Sequence, residues 1–209
     1  MIRVLIADDH ALVREGLKQV LAQAADIQIA GEAASGDAAL EQVKTGKFDV
    51  AVLDMSMPGL AGIDLIKRVK SVNPKLRVLI LSMHGEKQYA ARALKAGASG
   101  YVTKDGASAQ LVAAIRKIAA GGVHISDAAA AELLSSASGA GDALPHSTLS
   151  DREFEVFRQL VAGRSPTEIS EKLHLSVKTV STHKTRILEK MNMRSTAELV
   201  RYAVQHGLA

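Results

Sequence analysis

Acidic, hydroxyl and basic side chains stand directly after four short apolar runs of this chain. Asp8 and Asp9 follow the first run, Asp54 the second, Ser82 the third and Lys104 the fourth. The runs are Ile2–Ala7, Val50–Leu53, Val78–Leu81 and Tyr101–Thr103. In a parallel sheet the carboxyl ends of the strands meet at one edge, where ligands bind. Carboxylates with an ammonium and a hydroxyl at that edge suit a hard cation and a phosphoryl group.

The carboxylates are expected to share a cation, because like charges repel unless an ion of opposite sign lies among them. The chain holds no cysteine. An oxygen-only donor set, with neither a thiolate nor a histidine ligand, favours Mg²⁺. Lys104 offers a point charge and Ser82 a hydroxyl group to a phosphoryl group. Alternatively, Asp8 or Asp9 taken singly caps the turn or helix that follows it.

Strand-like and helical patterns alternate through the first 120 residues. Five strand–helix pairs in order predict an α/β fold with a doubly wound, five-stranded parallel sheet. Beside the runs above, the strand pattern includes Ile27–Ala33, and the predicted helices are Ala11–Gln23, Asp37–Lys44, Ile63–Ser71, Lys87–Lys95 and Ala107–Ala120. Val50–Leu53 and Val78–Leu81 do not alternate between apolar and polar residues, as expected for central strands that are covered on both faces.

The region after this alternation predicts a connection between two domains. Ala128–Leu134 has a helical pattern, and Ser135–Thr148 is rich in Ser, Gly and Ala. Such a composition predicts a flexible linker. The domain prediction is therefore 1–121, then a short helix and linker over 122–145, then 146–209.

The C-terminal region is predicted to be a small all-α domain of four helices with short connections. Ser150 and Ser165 are suitable N-caps, and Pro166 stands at a first helical position, where its missing N–H is not needed. The predicted helices are Asp151–Ala162, Pro166–Leu173, Val177–Met191 and Ser195–Gln205.

Composition limits the class of protein. The chain has 209 residues, of which 47% are hydrophobic and 23% charged, as in globular proteins. It lacks an apolar stretch of the roughly 20 residues that a membrane span needs, and it starts without a signal-peptide pattern. A cytoplasmic protein is therefore expected. Residues 149–209 hold ten Lys and Arg against seven Asp and Glu, which hints at a polyanionic partner.

Further residues around the strand ends carry a family resemblance. Asp54 is followed by Met57-Pro58-Gly59, and the stretches Val4–His10 and Gly100–Asp105 flank the other polar residues. Together they resemble the receiver domain of two-component response regulators, in particular those of the NarL/FixJ subfamily. The resemblance covers about residues 1–120 and implies a flavodoxin-like sheet.

The resemblance also implies roles for individual residues. Asp54 would be the phosphoacceptor, and the donor a phosphohistidine of a sensor histidine kinase or a small acyl phosphate. Asp9 and Asp54 would ligate Mg²⁺ directly, with Asp8 acting through water and the backbone carbonyl of Ser56 completing the protein ligands.

Three more residues would contact the phosphoryl group or act as the switch. Lys104 would pair with the phosphoryl group, and Ser82 would bond to it after transfer. Tyr101 matches the aromatic switch position of the family. Without that resemblance, Tyr101 would be interpreted as a half-buried strand aromatic with a hydrated hydroxyl group.

The segment Val177–Met191 has two different faces when its residues are placed about 100° apart. Val180, Ile187 and Met191 form one face, whereas Lys178, Ser181, Thr182 and Thr185 form the opposite one. Short hydroxylated side chains allow a helix to approach base edges, so the segment fits the second helix of a helix-turn-helix. An ordinary amphipathic helix with a solvated polar face is the alternative.

The surrounding residues resemble the LuxR-type DNA-binding domain over about residues 146–209. The motifs are Leu149–Glu153, Glu168–Ser170, Leu173, Ser176–His183 and Ile187. By position, Ser181, Thr182 and Thr185 would face bases. The backbone phosphates would be contacted or neutralised by Lys178, Thr179, Lys184, Arg186 and Lys190. Pro166 stands where the family usually has Asn, and His183 is interpreted as a packed helix residue.

The leading hypothesis is a transcription regulator controlled by phosphorylation of Asp54, which would favour a homodimer and binding of double-stranded DNA. A phosphatase with a strand-end nucleophile is a competing class, but such enzymes carry a second acid two residues on, where this chain has Ser56. A receiver joined to a protein- or RNA-binding helical module is the third interpretation.

Overall fold

The computed structural model of the chain describes residues 1–57, 59–82, 87–126, 129–131 and 144–208. Two compact units divide the chain, Met1–Leu134 and Ser135–Ala209. The N-terminal unit contains a parallel sheet with flanking helices, whereas the described part of the C-terminal unit is helical.

Five strands and five helices alternate in the described part of the N-terminal unit. The strands are β1 (Ile2–Ala7), β2 (Ile27–Ala33), β3 (Val50–Asp54), β4 (Arg77–Ser82) and β5 (Gly100–Thr103). The helices are α1 (Ala11–Ala22), α2 (Gly36–Thr45), α3 (Gly62–Val72), α4 (Lys87–Lys95) and α5 (Lys104–Ala119). The predicted α/β class and the five-stranded parallel sheet are confirmed.

The strand order β2-β1-β3-β4-β5 places the polar strand ends side by side. Ala7 pairs with Leu53, Asp54 with Leu81, and Ser82 with Thr103, so β1, β3, β4 and β5 end almost level. The sheet reverses its order between β1 and β3, which is where parallel α/β sheets open a crevice at their carboxyl edge. The register therefore brings the predicted site residues to one crevice.

The core explains why the central strands lack alternation. Every residue of β3 is buried, and the last four residues of β1 and last five of β4 are buried as well. Apolar residues of β1, β3, β4 and β5 pack against α1 and α5 on one face. Helices on both faces of a parallel sheet bury both sets of strand side chains.

Helix α5 begins three residues earlier than the pattern indicated. The Oγ1 atom of Thr103 accepts a hydrogen bond from the N–H of Gly106 at 3.3 Å, which makes Thr103 the N-cap. Threonine is a favoured residue at this position because it satisfies an orphan N–H group. Lys104 is consequently the first helical residue, directly at the edge of the sheet.

The described part of the C-terminal unit consists of a short 3₁₀ helix, Pro145–Thr148, followed by four helices. These are α6 (Asp151–Val161), α7 (Pro166–Leu173), α8 (Val177–Lys190) and α9 (Thr196–Gln205). Ser150 and Ser165 each form a capping box with the glutamate three residues on, Glu153 and Glu168. Apolar residues that recur at helical spacing fill the core, including Phe154, Phe157, Ile169, Val180, Ile187 and Leu199.

The prediction of a flexible linker is wrong at its C-terminal end. Residues 145–148 form the 3₁₀ helix, and His146 within it is only 2% exposed. Its Nδ1 atom lies 2.6 Å from the hydroxyl oxygen of Tyr202 on α9, so these residues are part of the helical core. Residues 135–143 lie outside the described part of the chain. Of the predicted helix Ala128–Leu134, residues 129–131 are described and are helical.

Candidate functional site

Two buried carboxylates and one lysine form the centre of the crevice. The side chains of Asp8 and Asp54 are 0% and 1% exposed, and that of Lys104 is 10% exposed. The Nζ atom of Lys104 lies 2.7 Å from Asp8 Oδ2 and 3.1 Å from Asp54 Oδ1. One cation thus bridges two acids in a region from which water is largely excluded.

The charges in this crevice are only partly compensated. Burial raises the pKa of Asp54, and the nearby charge of Asp8 adds to this effect, while Lys104 opposes it. Burial by itself would lower the pKa of Lys104, but its contact with Asp8 and the charges of both acids raise it overall. The lysine is therefore held in its charged form beside two carboxylates that compete for it.

The donor atoms that remain fit a divalent cation. Asp8 Oδ2 and both carboxylate oxygens of Asp54 are buried without a hydrogen-bond partner of suitable geometry among the described residues. The contacts from Lys104 satisfy the distance of an ion pair but not the direction of a hydrogen bond. Buried oxygens that lack donors are a natural ligand set for a hard cation, and a cation would compensate the charge that one lysine leaves.

Asp9 and His10 lie at the rim of the same crevice. The ligand atoms of Asp8, Asp9, His10 and Asp54 all lie within 4.8 Å of one another. The backbone N–H of His10 donates to Asp8 Oδ1 at 2.8 Å, which turns the chain back over the end of β1. The predicted ligand set of Asp8, Asp9, Asp54 and the Ser56 carbonyl stays a prediction. Only the interpretation that no histidine lies near the acids is wrong, because this group of side chains includes His10. Its position directly after Asp9 was the available signal, because adjacent residues in a tight turn share one side of it.

The remaining predicted residues of the crevice occupy neighbouring positions. Ser82 is the last residue of β4 and is 1% exposed, and Tyr101 is a buried residue of β5 opposite Ile80. Ser56 lies in the exposed turn two residues after Asp54. Arg14 donates to the backbone carbonyl of Asp8 at 2.6 Å and so fixes the end of β1.

In the C-terminal unit, the side chains of α8 divide as predicted. Val180 and Ile187 are buried. Exposed side chains are those of Lys178, Ser181, Thr182, Thr185 and Arg186, while Thr179 and Lys184 are partly buried. The hydroxyl groups of Ser181, Thr182 and Thr185 each donate to the carbonyl four residues earlier, at 3.0, 3.0 and 3.2 Å. Their outward surface therefore consists of oxygen lone pairs and, in threonine, a methyl group.

The turn before α8 has the geometry of a helix-turn-helix connection. His174 ends α7 in the left-handed conformation, with φ of 51°. Ser176 then caps α8 by accepting from the N–H of Thr179 at 3.0 Å. Arg152 of α6 donates to the carbonyl of Leu173 at 2.7 Å, which ties the end of α7 to the first helix. These contacts fix the angle at which α8 leaves the turn.

Comparison with known proteins decides what these two sites belong to. Residues 4–116 match the model of the response regulator receiver domain, and residues 147–203 match that of the bacterial regulatory proteins of the luxR family. The chain belongs to the response regulators of two-component systems. Its relatives include UvrY of Escherichia coli (strain K12), 36% identical over the whole chain and 96% of UvrY.

Other relatives are also similar to this response regulator along nearly its whole length. GacA of Pseudomonas viridiflava is 38% identical over the whole chain and 98% of GacA. A solved structure of RcsB from Salmonella typhimurium is similar with a TM-score of 0.74 and 29% identity, covering 98% of this chain and 97% of RcsB. The two-part architecture predicted from the sequence is therefore that of a family of regulators.

Lys190 of the response regulator has a structural contact that its sequence did not indicate. Its Nζ atom lies 2.7 Å from Glu153 Oε2, and the Glu153 side chain is 5% exposed. Burial by itself would raise the pKa of Glu153, but Lys190 and the two donors of Ser150 lower it to about 2. Its predicted contact with DNA phosphate stays a prediction.

His183 of the response regulator packs within the helical unit. Its side chain is half-buried, and its Nδ1 atom is enclosed without a hydrogen-bond partner among the described residues. Burial lowers the pKa of His183, with the charges of Arg152 and Arg186 acting in the same direction and Glu153 opposing them. The ring is thus held neutral near the core.

No helix in the described ranges is long and apolar enough to cross a membrane.

Proposed function

We propose that Asp54 accepts a phosphoryl group and that its phosphorylation controls DNA binding by the C-terminal unit. The observation that supports this most strongly is the buried carboxylate of Asp54 at a strand end. Its oxygens accept no hydrogen bond of suitable geometry among the described residues, and Oδ1 lies 3.1 Å from the Lys104 ammonium group. Phosphoryl transfer depends mainly on positioning and charge compensation. The crevice provides both without requiring a protein base.

The donor is a phosphohistidine of a sensor histidine kinase, or a small acyl phosphate. A carboxylate oxygen of Asp54 forms the new bond to phosphorus while the bond from phosphorus to the donor nitrogen or oxygen breaks. Lys104 lies beside the position where the phosphoryl oxygens arrive. Because Lys104 also contacts Asp8, it remains paired when the charge distribution around Asp54 changes.

Mg²⁺ is the cofactor that this donor set suits. Asp9 and Asp54 would ligate it directly, Asp8 through water, and the carbonyl of Ser56 would complete the protein ligands. When bound, the ion compensates negative charge on the transferred group. Carboxylates and a carbonyl suit its preference for oxygen, and the unpartnered oxygens of Asp8 and Asp54 agree with that preference.

Ser82 and Tyr101 connect the modified residue to the rest of the sheet. Ser82 directly follows Leu81, which pairs with Asp54 across β3 and β4. In this proposal its hydroxyl group would donate to a phosphoryl oxygen on Asp54. A shift of Ser82 toward the phosphate would vacate space next to β5, where Tyr101 lies. Phosphorylation then biases two packing arrangements of the same strands, as charge-changing modifications do.

The exposed face of α8 is the DNA-contacting surface in this proposal. Ser181, Thr182 and Thr185 would face base edges. Backbone contacts would come from Lys178, Thr179, Lys184, Arg186 and Lys190. Short side chains whose donors are satisfied within the helix present acceptors and methyl groups, which read adenine, cytosine and thymine edges in the major groove.

Homodimerisation belongs to the same proposal. RcsB, a related response regulator, has been solved as dimers bound to DNA. Two copies of α8 would read two half-sites spaced by about one helical turn of DNA. The domain boundaries in this proposal are 1–121 and 146–209, with the connection over 122–145, and the protein acts in the cytoplasm.

The chain would act as a regulator and not as a turnover enzyme. Fast hydrolysis of an aspartyl phosphate needs an acid or base placed near the attacking water. The residue two positions after Asp54 is Ser56, which carries no carboxyl group. Only slow loss of the phosphoryl group is therefore expected.

The decisive experiment incubates the protein with a small acyl phosphate and Mg²⁺ and measures intact mass and affinity for duplex DNA selected from a random pool. We expect a gain of one phosphoryl group and tighter DNA binding, both absent in Asp54→Ala. Asp64→Asn, at an exposed position on α3, is the matched control and should behave as wild type. Equal DNA affinity in all samples would exclude the switch.

A further inference from the structure

His10 gives the acidic crevice a nitrogen atom that Mg²⁺ does not require. Its Nδ1 atom lies 3.0 Å from Asp9 Oδ1 and 3.3 Å from Asp8 Oδ1. The two oxygens of Asp8 thus face different partners, since Oδ2 faces Lys104 and Oδ1 faces His10. The crevice therefore has a lysine side and a histidine side.

The distances on the histidine side match those between neighbouring ligands of one ion. Metal–nitrogen and metal–oxygen bonds of about 2.1 Å at right angles separate the two ligand atoms by about 3.0 Å. The Nδ1 atom of His10 and Oδ1 of Asp9 already have this separation. Both oxygens of Asp54 are buried and accept no hydrogen bond among the described residues, so they are an independent pair of donor atoms for the same ion.

We propose that His10 Nδ1 ligates the ion when that ion is a borderline transition metal such as Ni²⁺, Co²⁺ or Zn²⁺. Imidazole suits these ions, whereas Mg²⁺ prefers oxygen and keeps several waters. His10 therefore makes the crevice selective for transition metals, which compete with Mg²⁺ beside the phosphoacceptor. This inference rests on the metal site of the proposed function and extends its ligand set.

A different role for His10 would give the opposite metal dependence. If His10 serves only as a cationic partner of Asp9, its removal leaves the acids less compensated. Every divalent cation would then bind more tightly, and by a similar factor. The ratio of the Ni²⁺ and Mg²⁺ affinities therefore separates a ligand from an ion-pair partner.

The test measures Ni²⁺ and Mg²⁺ binding to the full chain by calorimetry, for wild type, His10→Ala and the control His174→Asn. His174 is an exposed imidazole of the C-terminal unit, and Asn tolerates its left-handed backbone. We expect His10→Ala to weaken Ni²⁺ about tenfold or more while Mg²⁺ changes less than about twofold. Equal changes for both ions, or unchanged Ni²⁺ affinity, would overturn the proposal.

Proton NMR of the Co²⁺-loaded protein supplies a readout that does not depend on affinity. A ligated His10 ring gives strongly shifted imidazole proton signals that His10→Ala lacks and His174→Asn retains. Signals that are identical in all three proteins would contradict ligation. If the crevice did not bind a metal ion at all, Mg²⁺ would bind wild type no better than Asp54→Ala. That result differs from one in which the ion binds but His10 is not a ligand.

A second inference concerns residues 123–126, which follow α5 and are called the exit segment below. The N–H of His124 donates to the carbonyl of Ser99 at 3.1 Å, and the N–H of Tyr101 donates to the carbonyl of His124 at 2.8 Å. The exit segment thus forms one parallel bridge, between His124 and Gly100, at the outer edge of β5. A Cβ atom on Gly100 would lie 3.0 Å from His124 O, so a glycine there permits the approach.

The exit segment also begins the connection toward the C-terminal unit. Ser126 accepts from the N–H of Ala129 through its Oγ atom at 3.2 Å and from the N–H of Ala130 through its carbonyl at 3.0 Å. Residues 129–131 are helical, and Ala129 is 1% exposed. Hydrogen bonds therefore hold the chain at His124, against β5, and again at Ser126, where the connection begins, and the two points are joined covalently through Ile125.

We infer that the hydrogen bonds between β5 and the exit segment transmit the phosphorylation state of Asp54 to the connection between the two domains. The inference rests on the proposed function, since it requires phosphorylation of Asp54 and movement at Tyr101. Any change in the backbone of β5 alters the bonds to His124 directly, because the Tyr101 N–H is one of them. In this inference the coupling element is the edge of β5, where phosphorylation would change how strongly the exit segment is paired.

His124→Pro tests the coupling because it removes the N–H that bonds to Ser99, whereas the control His124→Ala keeps the backbone. We expect both variants to gain the phosphoryl group like wild type, but only His124→Pro to lose the phosphorylation-dependent change in DNA affinity. A full response in His124→Pro would contradict the inference. A wild type that does not gain the phosphoryl group would instead exclude the proposed function.

Amide exchange in the wild type gives a second measurement that needs no variant. The Tyr101 amide should be protected, and phosphorylation should change its exchange rate several-fold. An exchange rate that is the same with and without the phosphoryl group would overturn the inference, even if His124→Pro does not fold.

Discussion

The crevice of the receiver domain and the exposed face of α8 use polar side chains in opposite ways. In the crevice, Asp8 and Asp54 are buried and keep oxygens without hydrogen-bond donors. On α8, the exposed hydroxyl groups of Ser181, Thr182 and Thr185 donate to carbonyls of their own helix. Because charge in the crevice is only partly compensated, a small ion or a phosphoryl group changes its electrostatic balance. The hydroxyl groups of α8 are exposed and already hydrogen-bonded within the helix, so this face can bind a large partner such as DNA without rearranging.

Because of this difference, we expect substitutions in the crevice and on α8 to change the free energy of unfolding by different amounts. Removing a partner from a buried, charged set leaves other charges uncompensated and destabilises the fold. Changing an exposed hydroxyl group whose bond is local affects stability by tenths of a kcal/mol. Stability should therefore report on the crevice, and DNA affinity on α8.

The largest effect is expected from Lys104→Met. Asp8 and Asp54 would lose the cation that lies 2.7 and 3.1 Å from them, so the free energy of unfolding of the receiver domain should fall by about 3 kcal/mol at neutral pH. Hydrogen exchange of β3 amides in the full chain measures this change. Lys95→Met, at an exposed position of α4, is the control and should change little.

Two further results would sharpen the interpretation of Lys104. Adding Asp54→Asn to Lys104→Met should restore part of the stability, because one uncompensated carboxylate is removed. Mg²⁺ should stabilise Lys104→Met more than wild type for the same reason. Unchanged protection of β3 in Lys104→Met would show that the two acids are accommodated without the lysine.

A smaller effect is expected from the ion pair of Lys190 with Glu153. The pKa of Glu153 is lowered from 4.5 to about 2 in the folded protein. A carboxyl group with a lowered pKa contributes stability above its unfolded pKa, and this contribution is lost as pH falls through the folded value. The C-terminal unit should lose about 2 to 3 kcal/mol between about pH 5 and pH 2 through this group.

Acid titration of unfolding measures this contribution. Glu153→Gln should remove most of the pH dependence attributable to this group, whereas Glu171→Gln, at an exposed position of α7, should retain it. The same pH dependence in wild type and Glu153→Gln would contradict the assignment of the low pKa to Glu153.

The smallest effects are expected on α8 and should appear only in DNA binding. Lys178→Ala removes one proposed phosphate contact, so affinity should fall similarly for all duplexes and the salt dependence should decrease by about one counterion. Thr182→Val keeps the shape but removes the hydroxyl oxygen, and should alter base preference at one position by about 1 kcal/mol.

Fluorescence anisotropy over a range of salt concentrations separates the two variants of α8. Both should unfold within about 0.5 kcal/mol of wild type, because their side chains are exposed. A change in base preference for Lys178→Ala, or a uniform loss for Thr182→Val, would reverse the proposed roles of these residues.

The fold was predictable from the sequence because its elements have strong local patterns. The apolar runs of β1, β3 and β4 and the helical periodicity of α8 were predicted within one or two residues of their observed bounds. Apolar periodicity reflects burial on one or both faces, and burial dominates the choice of local structure. The early start of α5 was not predicted, since it depends on the cap that Thr103 provides.

The sequence did not indicate three contacts of the structure. Two of them join residues that are far apart in the chain, and the third depends on the direction in which a side chain points. His146 lies in a stretch of low complexity, and its burial depends on Tyr202, 56 positions away. Lys190 was assigned to DNA phosphate alone because its partner, Glu153, lies 37 positions earlier. His10 is adjacent to the acids in sequence, but only the turn over β1 directs its ring toward them.

Residue type and periodicity are local properties, so they were enough to indicate which residues could perform phosphoryl chemistry and which helix could face DNA. How the charges are shared depends on contacts between elements. Strand register brings Asp8, Asp54 and Lys104 within ion-pair distance, the turn after β1 adds His10, and the edge of β5 receives His124. Those partners are set by packing across the sheet, which a single strand or helix pattern does not encode.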